Sequence, residues 1–238
     1  MKLDILAIGV HPDDVELGCA GTLLKHIDLG KKVGILDLTQ GELGTRGSAP
    51  LRLEEAEKAR KTMGALVRDN LKMKDGFFQH TSENLIKIAT VVRHYQPEII
   101  LANAIKDRHP DHARAAKLTA NACFVAGLAK VKTTYQGKQQ DRWRPQAVYH
   151  YIQDYSLQPD FAIDITGYMD KKIECVLCFD SQFYNPESDE LDSPISGKDF
   201  LDSVKAKSSV YGRAIGVTFA EGFNMARPVG VRNLFDIF

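Results

Sequence analysis

The first half of the chain alternates continuous apolar runs with amphipathic segments, and this alternation constrains the fold more than any other feature. The apolar runs at 3–10, 33–39 and 98–104 predict buried strands, and the stretch NLKMKD at 70–75 predicts a weaker third strand. The segments between and after them predict helices and lie at 15–29, 49–64, 82–95 and 110–129. Strands that alternate with helices form right-handed βαβ units, which build a parallel sheet with helices on both faces. We therefore predict a Rossmann-like, doubly wound, mostly parallel α/β fold with strand order 3-2-1-4-5.

The second half of the chain is predicted to extend this sheet. A polar stretch at 131–145 predicts a loop. Further strands are expected at 147–152 and 161–166, and helices near 167–180 and 199–211. Residues 183–199 contain Asn-Pro, Ser-Pro and Ser-Gly and predict an excursion before the last helix. The sequence assigns this excursion no role, and a wall or lid beside the pocket is one candidate. No linker or internal repeat divides the chain, so residues 1–238 are expected to form one domain.

The balance of charges excludes several classes of function. Lys+Arg and Asp+Glu both number 31, so the chain lacks the basic excess of a nucleic-acid-binding protein. No apolar run approaches the roughly 20 residues that a membrane span needs. We expect a soluble, cytoplasmic protein whose partner is a small molecule. The four cysteines are too few for a disulfide scaffold, and Cys175 and Cys178 are expected to be buried helical thiols.

The tripeptide His-Pro-Asp occurs twice, at 11–13 and at 109–111, each time directly after a predicted strand. Proline and aspartate both suit the first turn of a helix, because the first N–H groups need no partner there and the helix dipole favours negative charge. Helix capping alone does not explain why a histidine precedes both copies. It also leaves the additional Asp14 and His112 unexplained.

The predicted topology brings the two copies together. In a sheet of order 3-2-1-4-5, strands 1 and 4 are neighbours, and ligands bind at their carboxyl ends where the strand order reverses. Imidazole and carboxylate groups suit zinc and related divalent metals, and a catalytic site uses three protein ligands. A general base and a group that stabilises oxyanion charge are then still available. The candidates are His11, Asp13, Asp14, His109, Asp111 and His112.

A dinucleotide site at the first strand–helix turn is excluded by the same residues. The turn lacks G-x-G-x-x-G and carries two carboxylates where a pyrophosphate would approach.

The two motifs, VHPDD at 10–14 and HPDH at 109–112, resemble those of the LmbE-like (PIG-L) family of zinc-dependent N-acetylglucosaminyl deacetylases. The resemblance covers at least residues 1–165. The stretches 38–56 and 219–223 (FAEGF) are similar to the branch that deacetylates N-acetylglucosaminyl-malate in bacillithiol biosynthesis. Membership would imply that each chain binds one Zn²⁺, for which Fe²⁺ or Co²⁺ can substitute. It would also imply a homo-oligomer, either a trimer or a hexamer built from trimers.

The resemblance also implies roles for individual residues. His11, Asp14 and His112 would hold the zinc. Asp13 would be the general base that activates water and later protonates the leaving amine. His109, oriented by Asp111, would stabilise the tetrahedral oxyanion, and the alternative for His109 is a fourth metal ligand.

Five further residues are candidate substrate contacts. Glu42, Arg52 and Asp75 match family positions that bind the sugar, with pairing to Glu55 as the alternative for Arg52. Arg46 and Arg108 are candidate receptors for the malyl carboxylates, and solvated side chains are the alternative for both.

The sequence as a whole predicts a zinc-dependent hydrolase that removes the acetyl group from an N-acetylglucosamine glycoside. The substrate that we expect is N-acetylglucosaminyl-malate. Two other interpretations stay open. One is a metal-dependent amidase acting on another N-acyl compound, such as a bacillithiol conjugate. The other is a non-catalytic metal-binding domain, in which four protein ligands would close the coordination sphere.

Overall fold

The structure is a computed structural model that describes residues 1–231 and 233–236. Its strands are β1 (Ile5–Gly9), β2 (Val33–Thr39), β3 (Val67–Met73), β4 (Ile99–Ala102), β5 (Thr134–Tyr135), β6 (Lys138–Gln139), β7 (Ala147–Tyr151), β8 (Phe161–Asp164) and β9 (Ala220–Met225). Its α-helices are α1 (Asp14–Asp28), α2 (Ala49–Met63), α3 (Ser82–Tyr95), α4 (Pro110–Ala126), α5 (Met169–Val176) and α6 (Phe200–Ala214). Each of these helices is too short or too polar to span a lipid bilayer.

The central sheet has the order β3-β2-β1-β4-β7-β9-β8. The first five strands of this order are parallel, and β9 runs antiparallel to both β7 and β8. The predicted doubly wound fold is therefore confirmed, with β7 as the fifth parallel strand. The strand order reverses between β1 and β4, so the loops that follow these two strands meet at one edge of the sheet.

Alternating side chains of the central strands pack against opposite layers of helices, as the period of two in a strand requires. In β1, Leu6 and Ile8 face a core formed with α3 and α4. Ile5 and Ala7 face the opposite core, formed with α1, α2 and α5. Both faces of the sheet are thus covered, which explains why its strands are continuous apolar runs in the sequence.

Three local predictions differ from the structure. The predicted loop at 131–145 contains a small antiparallel hairpin of β5 and β6. The strand β9 was not predicted, because its sequence AEGFNM carries a buried glutamate and a glycine that are atypical of strands. The helix expected at 15–29 begins at Asp14 and is interrupted at Cys19, where φ is −149° and ψ is 15°.

A buried ion-pair triad ties the first turns of α1 to the sheet. Arg68 in β3 donates through Nε and Nη2 to both oxygens of Asp37 in β2 (2.7 and 3.0 Å), and through Nη1 to Glu16 in α1 (2.6 Å). The side chains of all three residues are at most 4% exposed. Burial raises the pKa of both Glu16 and Asp37, and the guanidinium opposes that effect. The two carboxylates therefore depend on Arg68 for their charge balance.

We predict that Arg68→Met destabilises the protein by about 3–5 kcal/mol, because it leaves two buried carboxylates without a cation. Urea unfolding followed by circular dichroism measures the change. The control is Lys58→Met, which breaks an ion pair with Asp180 whose side chains are 57% and 68% exposed and should cost less than about 1 kcal/mol. Equal losses in the two variants would contradict the assignment.

Candidate metal centre

The loops after β1 and β4 bring three imidazole rings together at the carboxyl edge of the sheet. The ring centroids of His11 and His109 are 4.8 Å apart, those of His109 and His112 are 5.2 Å apart, and those of His11 and His112 are 5.7 Å apart. Each ring contributes a nitrogen to a group whose atoms lie within 4.8 Å of one another. Residues separated by about a hundred positions in the chain thus share one site.

The buried carboxylate of Asp14 lies between two of these rings. Its Oδ1 is 3.2 Å from Nε2 of His112, and its Oδ2 is 3.7 Å from Nδ1 of His11. Asn103 and Gln153 donate side-chain amide hydrogens to it (2.9 and 2.8 Å). Burial opposes the charge of this carboxylate, yet the neighbouring His112 and His11 hold the pKa of Asp14 well below its usual range. Asp14 is therefore a fixed, ionised group.

The outer nitrogens of the same two imidazoles face other carboxylates. Nε2 of His11 lies 3.0 Å from Oδ1 of Asp75, and Nδ1 of His112 lies 2.6 Å from Oδ2 of Asp107. Histidines that bind metals commonly donate their second ring N–H to a carboxylate in this way, which fixes the ring and its tautomer. The nitrogens that remain for a ligand, Nδ1 of His11 and Nε2 of His112, are the two that face Asp14.

Sequence reasoning did not identify three of these supporting residues, Asn103, Asp107 and Gln153. Two of them do carry a signal in the sequence. Asn103 is a polar residue at the end of the apolar run 98–104, and Asp107 stands five residues before His112. Gln153 follows β7 and carries no comparable signal.

The donor set of His11, Asp14 and His112 fits a divalent metal ion of the zinc type. Imidazole nitrogen and carboxylate oxygen are ligands that zinc, iron and cobalt accept. Burial lowers the pKa of His11, but the carboxylates of Asp111, Asp75 and Asp14 outweigh burial and raise this pKa to about 10. Burial also lowers the pKa of His112, but the carboxylates of Asp14 and Asp107 outweigh burial and raise this pKa to about 9. The carboxylates thus create a negative potential at these rings, and a bound cation would displace protons from the two imidazole nitrogens that face Asp14.

Asp13 stands beside this cluster in an unusual backbone conformation. Its φ is +122°, a region that non-glycine residues rarely adopt. Oδ2 of Asp13 accepts a hydrogen bond from Nη2 of Arg52 (3.0 Å). Burial raises the pKa of Asp13 to about 7, and Arg52 limits that rise. A carboxylate with a pKa near neutrality is suited to both accepting and returning a proton.

Arg52 does not pair with Glu55, which was one of its two sequence interpretations. Its guanidinium holds Asp13 and donates to the carbonyl of Gly41 (3.3 Å). A Cβ at Gly41 would collide with Nη1 of Arg52, so glycine at this position allows the guanidinium to lie against the backbone. Glu55 instead accepts hydrogen bonds from the N–H and hydroxyl of Ser181.

His109 caps the N-terminus of α4. Its Nδ1 accepts the backbone N–H of Asp111 (3.3 Å), which leaves Nε2–H of a neutral ring as a donor. Burial lowers the pKa of His109, and positive charge on His11 and His112 lowers it further. The expected orientation of His109 by the Asp111 carboxylate is not observed. That carboxylate accepts hydrogen bonds from Arg114 (2.6 Å) and from the N–H of Gly76 (2.9 Å).

The remaining candidate substrate residues separate into two groups. Asp75 and Arg108 line the cavity that contains the three imidazoles. Glu42 accepts the backbone N–H of Asp75 (2.8 Å) and so supports the loop after β3. Arg46 is a correction to the sequence analysis, because its buried guanidinium donates to the carbonyls of Phe183, Glu190 and Leu191. It therefore anchors the segment 183–191 and is not free to bind a carboxylate of a substrate.

The cavity has a volume of about 360 Å³. One part of the cavity is lined by His11, Asp13, Asp14, His109 and His112, and another by residues of α6 such as Phe200, Val204 and Lys207. Residues 193–195 also line the cavity. The volume is within the range of small-molecule sites in proteins.

Comparison with known proteins identifies the relatives of this chain. Residues 6–123 match the family model described as PIG-L, GlcNAc-PI de-N-acetylase. Diacetylchitobiose deacetylase of Thermococcus kodakarensis is 31% identical over 229 residues, covering 92% of this chain and 81% of that protein. The crystal structure of the conserved protein TT1542 from Thermus thermophilus has a TM-score of 0.86 at 32% identity, with 98% of both chains covered. The 4-oxalmesaconate hydratase of Pseudomonas putida is 27% identical over 74% of this chain and 73% of its own length.

We predict that Asp107→Asn weakens zinc binding about 10- to 100-fold, because Nδ1 of His112 loses its carboxylate partner. Titration of the metal-free protein with zinc, in competition with a chromophoric chelator, gives the dissociation constant. His112→Ala should lose tight binding altogether, and Asp141→Asn, at an exposed position, should leave it unchanged. Unaltered affinity in Asp107→Asn and His112→Ala would reject the ligand set.

Proposed function

The chain belongs to the PIG-L (LmbE-like) family of de-N-acetylases, and we propose on that premise that it is a zinc-dependent hydrolase that deacetylates an N-acetylglucosamine glycoside. One observation carries the proposal. His11, Asp14 and His112 lie together, and Asp13 lines the same cavity beside them. Such a set of groups can activate water at neutral pH.

The residues of the site divide the work of amide hydrolysis. His11, Asp14 and His112 would hold the metal, which supplies Lewis-acid activation of water and of the amide carbonyl. Asp13 accepts the proton of the attacking water and later delivers it to the glucosamine nitrogen. Arg52 keeps Asp13 in place through its hydrogen bond to Oδ2. Nε2–H of His109 donates to the oxygen that becomes negative as the carbonyl is attacked.

For the substrate, we propose N-acetylglucosaminyl-malate, the substrate of the bacillithiol branch. Arg108 supports an anionic aglycone, because it lines the cavity and its side chain is 42% exposed. Its Nε hydrogen-bonds to Asp154, so part of the guanidinium fork remains available for a carboxylate. Asp75 would approach the sugar from the loop after β3.

A second candidate function has support from one relative. The 4-oxalmesaconate hydratase of Pseudomonas putida shares three quarters of the chain length at 27% identity, and hydration of a double bond also needs a positioned water. A substrate panel decides between the two. It contains N-acetylglucosaminyl-malate, methyl N-acetylglucosaminide, N-acetylglucosamine, a bacillithiol conjugate and an unsaturated dicarboxylate, with free amine and loss of the double bond as the two readouts.

We predict that Asp13→Asn retains bound zinc and lowers kcat by about 10²- to 10⁴-fold, because asparagine cannot take up the proton. Zinc content by elemental analysis and amine release under the same conditions measure both effects. Full activity in the zinc-loaded variant would remove Asp13 from the mechanism.

We predict that Arg108→Met raises KM for N-acetylglucosaminyl-malate about tenfold, because a charge-assisted hydrogen bond to the aglycone is lost. KM for methyl N-acetylglucosaminide should not change, since that substrate carries no carboxylate. Arg142→Met, at an exposed position, serves as the control. An equal rise for both substrates would show that Arg108 does not select the anionic group.

A further inference from the structure

Helix α1 is interrupted where it borders the cavity. Its backbone departs from helical geometry at Cys19, which divides the helix into a short segment at 14–18 and a longer one at 20–28. Such an interruption leaves carbonyls at the end of the first segment and N–H groups at the start of the second without their helical partners. Buried backbone groups of this kind need other partners.

Two charged side chains from distant elements supply those partners. Lys172 in α5 donates through Nζ to the carbonyl of Leu17 (2.7 Å), at the end of the first segment. Glu221 in β9 accepts the N–H groups of Gly21 (3.0 Å) and Thr22 (2.7 Å), at the start of the second. The ammonium and the carboxylate also pair with each other at 2.6 Å. One ion pair thus bridges the interruption from both sides.

The short segment that this pair holds carries the chemistry of the site. It begins with Asp14, and the N–H of Leu17 donates to the carbonyl of Asp13 (2.9 Å). The carbonyl of the same Leu17 accepts from Lys172, so a single residue links the ion pair to the turn that presents both carboxylates. Leu17, Lys172 and Glu221 all line the cavity.

We propose that Lys172 and Glu221 are positioning residues that fix the direction of the segment 14–18 and thereby place Asp13 and Asp14. The proposal rests on the proposed function, in which Asp13 moves the proton and Asp14 holds the metal. The pair is buried, with both side chains 2% exposed, and a buried ion pair is often replaceable by uncharged groups without loss of stability. The presence of this ion pair is explained by the geometry that it imposes on the interrupted helix.

The test is the isosteric double variant Lys172→Met/Glu221→Gln, which removes both charges together and leaves no uncompensated one. Zinc affinity is measured by titration of the metal-free protein with zinc alone, and kcat and KM are measured at saturating zinc. We expect the dissociation constant for zinc to rise about tenfold and kcat to fall at least about tenfold, with KM changed less than about twofold. The matched control is Lys171→Met/Glu174→Gln, an exposed pair on the same helix, which should match the wild type.

Wild-type zinc affinity and kcat in a folded double variant would overturn the proposal and leave the pair a purely structural feature. If that variant does not fold, Glu221→Asp decides the question, because it keeps the charge but is too short to reach both N–H groups. A wild-type kcat and zinc affinity in Glu221→Asp would overturn the proposal as well. Absence of deacetylase activity in the zinc-loaded wild type would contradict the proposed function instead, and the zinc titration would still test the pair.

Discussion

The buried negative charge of Asp14 is the constraint on which the rest of the site depends. An ionised carboxylate inside a protein is stable only when opposite charge and hydrogen-bond donors surround it. His11 and His112 supply the charge, and Asn103 and Gln153 supply amide donors. These partners come from the ends of β1, β4 and β7 and from the start of α4, so the three strands must lie side by side for the charge to be tolerated.

A second requirement concerns the backbone that carries Asp14. The segment 14–18 is only a turn and a half long, and it follows the positive φ of Asp13. So short a helix has little stability of its own. Arg68, in the sheet, donates a hydrogen bond to the carboxylate of Glu16. Lys172, in α5, donates a hydrogen bond to the carbonyl of Leu17. The buried charges of Arg68 and Lys172 are not needed for packing. They fix the direction of the segment 14–18, whose intrinsic stability is low.

The members of the two repeated motifs could be predicted from the sequence, whereas Asn103 and Gln153, which also follow strands, were not identified. The four strand segments of the first half and the strand expected at 147–152 predicted the five parallel strands. The reversal of strand order predicted that 11–14 and 109–112 would converge. Lys172 and Glu221 could not be predicted, because their partners are backbone groups exposed by an interruption that no local pattern signals. Arg46 was misinterpreted for a related reason. An arginine in a loop has the same sequence signal whether it meets a ligand or the carbonyls of a distant segment.

Proteins named as a deacetylase and as a hydratase share this fold, and in this chain the cavity is lined by residues from two distant parts of the sequence. The groups that we propose to activate water lie on the loops after β1 and β4, which the topology brings together. Residues of α6 and residues 193–195 line another part of the cavity, and Arg46 anchors the segment 183–191 that precedes them. Under the proposed function, a change in α6 or in residues 193–195 would alter the substrate contacts without replacing Asp13 or Asp14. Arg108 and Asp75 would contribute to substrate selection from the loops after β4 and β3, so substrate selection and chemistry are not confined to separate halves of the chain.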